Sequence, residues 1–398
     1  MTATPRSLSG VKVLDLSRVL AGPWCGQLLA DLGADVVKVE RPGAGDDTRS
    51  WGPPWLKDAS GEPTRDAAYY FCANRNKRSV AIDIATPDGR ALVRRLAMEA
   101  DVVLENFKVG GLEQYGLDHA SLLKMKPSLV CCSITGFGQT GPYAQRAGYD
   151  FLIQGMGGLM SVTGRAEGEG GAGPQKVGVA VTDVLTGLYA TVGVLAALAH
   201  RDRTGQGQHI DLALLDVQVA CLANQTANFL IGGTVPRRMG NAHPNIVPYQ
   251  DFPTADGDMI LAVGNDGQFA RLCAVVGRPE WTSDDRFATN AARVKHRAEL
   301  IPMLRQATVM RTTHEWIVAL ETAGVPCGPI NRLDEVFADP QVVARGLRIE
   351  LPHAVAGMVP GVANPIRMSA SPVAYDRGPP VLGEHTAEVL AQWLGDGN

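Results

Sequence analysis

Asp183 stands in VAVTDVLTGLYA, residues 179–190, as the one charged residue in a run of apolar and small side chains. Two readings account for it. Thr182 and Asp183 stand just ahead of the periodic segment VLTGLYATVGVLAALAH, and helix N-termini favour acids, so the carboxylate can be a cap. It can equally be a covalent nucleophile, a carboxylate set among apolar residues for that purpose. The local sequence leaves both open.

Other groups could do chemistry. His243, in RRMGNAHPN with Arg237 and Arg238, is either solvated surface or, inside a cleft, part of a trio suited to a carboxylate. GFGQTG, residues 136–141, formally matches G-x-G-x-x-G, but a dinucleotide fingerprint must open a helix, and here Pro142 and Tyr143 follow the last glycine. GNDGQ, residues 264–268, reads as a glycine turn between a strand and a helix. No nucleophile elbow, Walker A loop or zinc-protease motif occurs, and the eight histidines are dispersed. The seven cysteines include no C-x-x-C pair, so neither a metal site nor a disulfide framework is expected and a reducing, cytoplasmic setting fits.

These residues need a scaffold, and the chain of 398 residues is long enough for two domains. A net charge of −4 argues against a nucleic-acid or anionic-membrane partner, so an anionic ligand must be met by local groups. MTATPRSLSG lacks the apolar stretch of a secretory signal. The most apolar segment, 184–199, is interrupted by Thr186, Gly187, Thr191 and Gly193, and no membrane span is expected.

From residue 11 onward, short β-branched runs alternate with helical patterns: VKVLDLS, DVVKVE, SVAIDI, DVVLENF and SLVCCSIT as strands, with CGQLLADLG, PDGRALVRRLAMEA and SLLKMK as helices. That alternation implies an α/β, Rossmann-like large domain with a mostly parallel sheet, whose ligand sits at the carboxyl ends of the strands. Residues 41–74 form a long excursion rich in Gly, Pro and Asp. After QHIDLALL, DVQVACLANQTANFL reads as one long helix. A smaller α+β domain is expected at 246–328, with 226–245 as linker and 1–225 plus 329–398 as the large domain.

The ordered segments GVKVLDLSRVLAGPWCGQLLADLGADVVKVERPGAGDDTR, NRNKRSVAIDI, DVVLENF, CSITGFGQTGPYAQRAGYD and GVAVTDVLTGLYA closely resemble the class III, CaiB/BaiF-type, CoA-transferases, and the resemblance runs through to GPINRLDEVFADPQV. RAGYDF, RRMGNAHPNIVPYQ and VPCGPIN look most like the branch that moves CoA from succinyl-CoA to glutarate and related dicarboxylic acids.

The resemblance implies an interlocked homodimer and a catalytic Asp183 that forms an aspartyl-CoA thioester. No cofactor is implied beyond the acyl-CoA thioester and the free acid as substrates. Gly264, Gly267 and Gln268 resemble the family's glycine loop, able to close over the site. Leu20, Arg41, Lys77, Asn106, Phe107 and Phe137 are implied for CoA, and Tyr149, Arg237, Arg238 and His243 for the acid. Where oxalate-using members carry Gln and Tyr, Leu20 and Phe137 stand here, and the lower polarity suits a longer dicarboxylate; Gln114 replaces an Arg, which removes one phosphate contact of the family's pattern. The competing activities are an acyl-CoA racemase, disfavoured because Tyr149 replaces the base His of AGHD, and an NAD-dependent oxidoreductase.

Overall fold

A computed structural model describes residues 6–395, and the chain divides into two compact units. The first takes the described residues of Met1–Leu159, Val177–Gly233 and Pro340–Asn398; the second takes Met160–Lys176 and Thr234–Asp339. The expected small domain at 246–328 lies within the second unit, which also takes 160–176, 234–245 and the residues up to 339.

The first unit is built on a six-stranded sheet: β1 (Lys12–Asp15), β2 (Asp35–Glu40), β3 (Arg78–Ala81), β4 (Val102–Glu105), β5 (Val130–Thr135) and β6 (Gln208–Ala213). Its order is β3-β2-β1-β4-β5-β6 and every neighbouring pair is parallel. Parallel strands need crossovers, and strand order reverses at β1, so a crevice opens at the C-terminal edge between β1 and β4. The large parallel sheet matches the sequence expectation.

Alternation along the strands supplies two cores. Val13, Val36, Cys132 and Ile134 face α1 (Ala21–Asp31) and the helix Val181–Thr204, with Leu29, Val194 and Leu198 among their partners. Leu14, Val37, Val103 and Cys131 face α2 (Pro87–Glu99), α3 (His119–Met125) and the C-terminal helix Thr386–Leu394. α4 (Asp150–Met156) adds Ile153 to the first core.

α5 (Val181–Thr204) is 24 residues long. Taken whole, it is long and apolar enough to cross a membrane by length and composition, which the interruptions in its sequence concealed. Three of those four interruptions are its packing positions. Thr186, Gly187 and Thr191 are buried, and a Cβ on Gly187 would lie 2.7 Å from the Ala21 carbonyl oxygen, so α1 and α5 approach closely only because Gly187 has no side chain.

Other elements depart from expectation. DVQVACLANQTANFL is two helices, α6 (Leu214–Cys221) and α7 (Asn224–Gly232), parted at Ala223, whose φ is 47°. The excursion at 41–74 carries a 3-10 turn, Asp47–Ser50, and a hairpin, Trp55–Lys57 with Pro63–Ala67. The tail holds a second hairpin, Arg348–His353 with Gly357–Val362.

The second unit has an antiparallel sheet of β7 (Tyr249–Pro253), β8 (Asp258–Ala262) and β9 (Cys327–Pro329) in the order β7-β8-β9. Phe252 and Leu261 pack with Phe269 of α8 (Asp266–Val275) and with Leu304 and Trp316 of two further helices. It is α+β, as its sequence indicates.

Candidate active site

Each strand of the parallel sheet ends in residues that line one cavity of about 770 Å³. Arg18 and Leu20 follow β1, Arg41 follows β2, Asp83 follows β3, Asn106 and Phe107 follow β4, Gly136 follows β5 and Leu214 follows β6. Asp183 also lines it, because a helix that leads into a parallel strand must start at the strands' C-terminal edge.

Beneath the cavity lies a charged floor that the sequence does not reveal. Lys38 and Asp46 are paired at 2.8 Å with both side chains fully buried, and Lys38 also donates to the Ser17 carbonyl at 2.7 Å. That ammonium outweighs burial and holds Asp46 down at about 2. Asp46 in turn accepts the Val19 N–H at 3.3 Å, where Val19 sits at φ 72°. A β-branched residue in that region is strained by about 1–3 kcal/mol, so the turn that presents Arg18 and Leu20 is held by its neighbours.

The helix N-terminus carrying Asp183 is capped by another acid. Ala180 occupies the cap position with no side-chain bond, and Asp183 is the third residue of α5, inside its first turn. The capping reading of Asp183 is thereby corrected: it is Asp150, first residue of α4, whose Oδ1 accepts the Thr182 N–H at 2.9 Å and the Asp183 N–H at 3.4 Å. Asp150 is fixed by Gln154, which donates to its Oδ2 at 2.7 Å and whose Oε1 accepts the Val177 N–H at 2.9 Å. Thr182 donates its hydroxyl to Gln218 at 2.6 Å.

Burial and the nearby Asp150 charge raise the Asp183 carboxyl to about 7. A helix N-terminus favours the ionised form of an acid, yet desolvation and like charge outweigh the dipole here. A carboxylate so raised is more basic than an ordinary one, and a better nucleophile once ionised.

The expected CoA residues separate on inspection. Arg41 is exposed at the cavity, and Phe107 lies beneath the Arg18 guanidinium at 5.8 Å. Leu20 lines the cavity while 5% exposed. Lys77 differs from expectation: it is wholly buried and donates to Asp15 at 2.9 Å, to the Pro23 carbonyl at 2.8 Å and to Asn74 at 2.9 Å. An ammonium has three protons, so none remains for a phosphate. Asn106 reaches the cavity, but its amide is engaged twice with the Arg18 backbone, accepting at 2.9 Å and donating at 2.7 Å, and so ties the β1 and β4 loops together. Phe137 belongs to the first core, edge-on to Tyr143 at 5.6 Å. Gln114 lines the cavity and donates to the Gly111 carbonyl.

Of the residues expected on the acid, Tyr149 is 67% exposed on the cavity. Arg237, Arg238 and His243 belong to the second unit. Arg238 lies 3.6 Å from Glu167, and His243 accepts the Asn245 N–H at Nδ1, 3.1 Å away. GNDGQ, also in the second unit, is the capped start of α8: Asn265 accepts the Gln268 N–H at 2.9 Å, and Gln268 accepts the Gly264 N–H at 2.6 Å. N-x-x-Q ahead of an apolar run is a capping-box signature that was available in the sequence.

The chain matches the family model for CoA-transferase family III over residues 8–386. It is 57% identical over 385 residues to the succinate–glutarate CoA-transferase of Agrobacterium fabrum, covering 97% of this chain and 95% of that one. It is 45% identical over 391 residues to the succinyl-CoA:glutarate CoA-transferase of Homo sapiens, covering 98% of this chain and 86% of the other. Its fold is similar to the crystal structure of a CaiB/BaiF family protein from Brucella suis, with a TM-score of 0.85, 52% identity and coverage of 98% and 100%. A parallel sheet opening on a half-buried carboxylate, together with similarity along nearly the whole chain, makes this protein a member of CoA-transferase family III.

Proposed function

We propose that this enzyme moves CoA from succinyl-CoA to a free dicarboxylic acid such as glutarate through an aspartyl-CoA thioester on Asp183. The observation that carries the reading is a half-buried carboxylate of raised pKa facing a large cavity at the carboxyl edge of a parallel sheet. The substrates follow those named for the relatives at 57% and 45% identity.

The chemistry needs a carboxylate. Asp183 attacks the succinyl thioester carbonyl, forming an anhydride and expelling CoA thiolate. The thiolate then attacks the aspartyl carbonyl, releasing succinate and leaving CoA on Asp183. Glutarate attacks that thioester, again giving an anhydride and thiolate, and thiolate attack on the glutaryl carbonyl regenerates Asp183. Thioester energy is kept throughout, and the enzyme carboxyl is what makes the exchange possible: a serine or cysteine acyl-enzyme could return its acyl group to CoA but could not activate a second free acid.

Arg41 offers a guanidinium for CoA phosphates and Phe107 a ring for its adenine or arm. The working form in this reading is an interlocked homodimer in the cytoplasm. In support, Leu188, Tyr189 and Val192 of α5 and Phe229, Leu230 and Ile231 of α7 are exposed, Ile231 by 89%, an apolar surface that a second subunit would cover. None of the seven cysteines is in a disulfide.

The test is to incubate the protein with succinyl-CoA and trap with hydroxylamine or borohydride before mass spectrometry. The peptide bearing Asp183 should carry the modification, and glutaryl-CoA should form when glutarate is added. Modification at another residue, or transfer with no trappable enzyme thioester, would overturn the mechanism.

A further inference from the structure

We infer that Arg146 selects dicarboxylic acids by binding the carboxylate that does not react; the inference rests on reading this site as one that transfers CoA to free acids. Arg146 lies in the loop after β5 and lines the same cavity as Asp183 and Tyr149. The other cavity cations divide by what they already hold. Arg18 is paired with Asp47 at 2.8 Å, and Lys38 is locked in the floor with Asp46. Among the described residues, Arg41, Lys108 and Arg146 line the cavity without a carboxylate partner.

Their places in the sheet assign them different tasks. Arg41 follows β2 and Lys108 follows β4, one on each side of β1, where the strand order reverses and a bound nucleotide would lie. Arg146 follows β5, and its loop runs on through Tyr149 to Asp150, the acid that accepts the Asp183 N–H. Asp150 is four positions on from Arg146, a span of at most about 14 Å even when fully extended. Of the three cations, Arg146 is therefore the one tied by a short segment to the nucleophile's helix.

The guanidinium is also presented as a recognition group. Its carbon lies 5.2 Å from the Phe137 ring centre and 4.6 Å from that of Tyr143, and among the described residues its one side-chain hydrogen bond is a long contact of 3.9 Å to the Met156 sulfur. Aromatic rings hold the plane while its N–H edge stays available for a two-pronged grip on a carboxylate. The need for such a group follows from charge. A diacid that offers one carboxylate to the aspartyl thioester keeps a second one, ionised, in a cavity where Asp183 is then a neutral thioester but the acid Asp150 stands behind it. A cation there makes the second charge an asset, and a site built to bind it discriminates against an acid that lacks it.

The test compares glutarate with glutaramic acid, its half-amide, which has the same length without the distal charge. Wild-type enzyme should favour glutarate in kcat/KM, and R146A should lose glutarate activity by about 10- to 150-fold, the range for a lost charge-assisted bond, with glutaramate changed less than threefold. R146K should recover part of the preference, since it restores charge without the fork. R146Q serves if R146A folds poorly, and R237A is the companion variant. A glutarate-to-glutaramate ratio unchanged in R146A or R146Q, equal losses on both acids, a selective loss in R237A alone, or no preference in the wild type would each overturn the role of Arg146. Failure of the underlying reading looks different: the wild type would then transfer CoA to neither acid.

Discussion

Asp150 accepts the backbone N–H of Asp183, so two carboxylates from helices 33 positions apart in sequence meet at a single helix N-terminus. One caps, and the other is left free for chemistry. The cap also places a negative charge where it discourages ionisation of Asp183.

Removing that charge while keeping the cap separates the two effects. In Asp150→Asn the amide oxygen still accepts both N–H groups, although the Gln154 amide loses its acceptor, and the Asp183 carboxyl, now raised by burial alone, falls below about 7. The acidic limb of kcat/KM, which reports the free enzyme, should shift to lower pH, with a several-fold lower plateau as the nucleophile becomes less basic. Asp150→Ala should shift the limb similarly and also lose about 1 kcal/mol of stability with the cap. A limb in Asp150→Asn that coincides with the wild type would show that Asp150 only caps.

Asp183 gives a stability prediction of definite sign. Its folded-state pKa lies above its unfolded one, so folding is favoured by protonation, and that contribution is complete below about pH 4 and lost as pH rises through about 7. At pH 8 the ionised group is therefore a burden. Asp183→Asn should abolish transfer and yet be more stable than the wild type at pH 8, by on the order of 2 to 4 kcal/mol given the partial solvent contact of the side chain, with the gain vanishing near pH 4. Urea titrations at both pH values check this; an Asn variant less stable at pH 8 would contradict it.

Lys77 and Arg41 were expected to do the same work and should behave differently. Lys77→Ala leaves Asp15 buried without its partner and should cost about 3–5 kcal/mol, while the KM for acyl-CoA in the folded fraction changes little. Arg41→Ala should leave stability within about 0.5 kcal/mol and raise that KM by roughly tenfold. Kinetics and denaturant unfolding on both variants decide it, and a raised KM in soluble, stable Lys77→Ala would return Lys77 to the CoA site.

What the sequence reveals here is local. The parallel sheet follows from β-branched runs between helical ones, and Asp183 is conspicuous as a charge among apolar neighbours. What it hides depends on distant partners. Lys77 looks like any surface lysine until Asp15, 62 positions away, is brought against it. Asn106 looks like a ligand until its amide is found on the Arg18 backbone. Asp150 and Arg146 lie within the quoted motif YAQRAGYD, but only folding sets one against α5 and leaves the other without a carboxylate among the described residues. The break at Ala223 has no Gly or Pro to announce it.

Gly264 and Gly267 test whether a loop serves catalysis or only starts a helix. Neither adopts the left-handed backbone that favours glycine, and an added Cβ would come no closer than 3.4 Å to any neighbour, the Gln268 amide oxygen for Gly264 and the Asn265 oxygen for Gly267. Alanine therefore fits both positions as they stand, and in the first turn of α8 Gly267→Ala should add up to about 1 kcal/mol through lower unfolded-state entropy and better helix propensity. If the loop instead closes over the thioester and brings its backbone against it, the same methyl group is an obstacle. Gly264→Ala and Gly267→Ala should then fold at least as stably as the wild type and transfer CoA more slowly. A larger share of succinyl-CoA should be lost to water, read as free CoA against glutaryl-CoA at equal donor consumption. Bulkier Gly264→Val and Gly267→Val should show the same trend more strongly. That signature differs from Asp183→Asn, in which transfer and hydrolysis fall together. Wild-type transfer with an unchanged ratio in all four variants would leave GNDGQ as the capped start of α8 and nothing more.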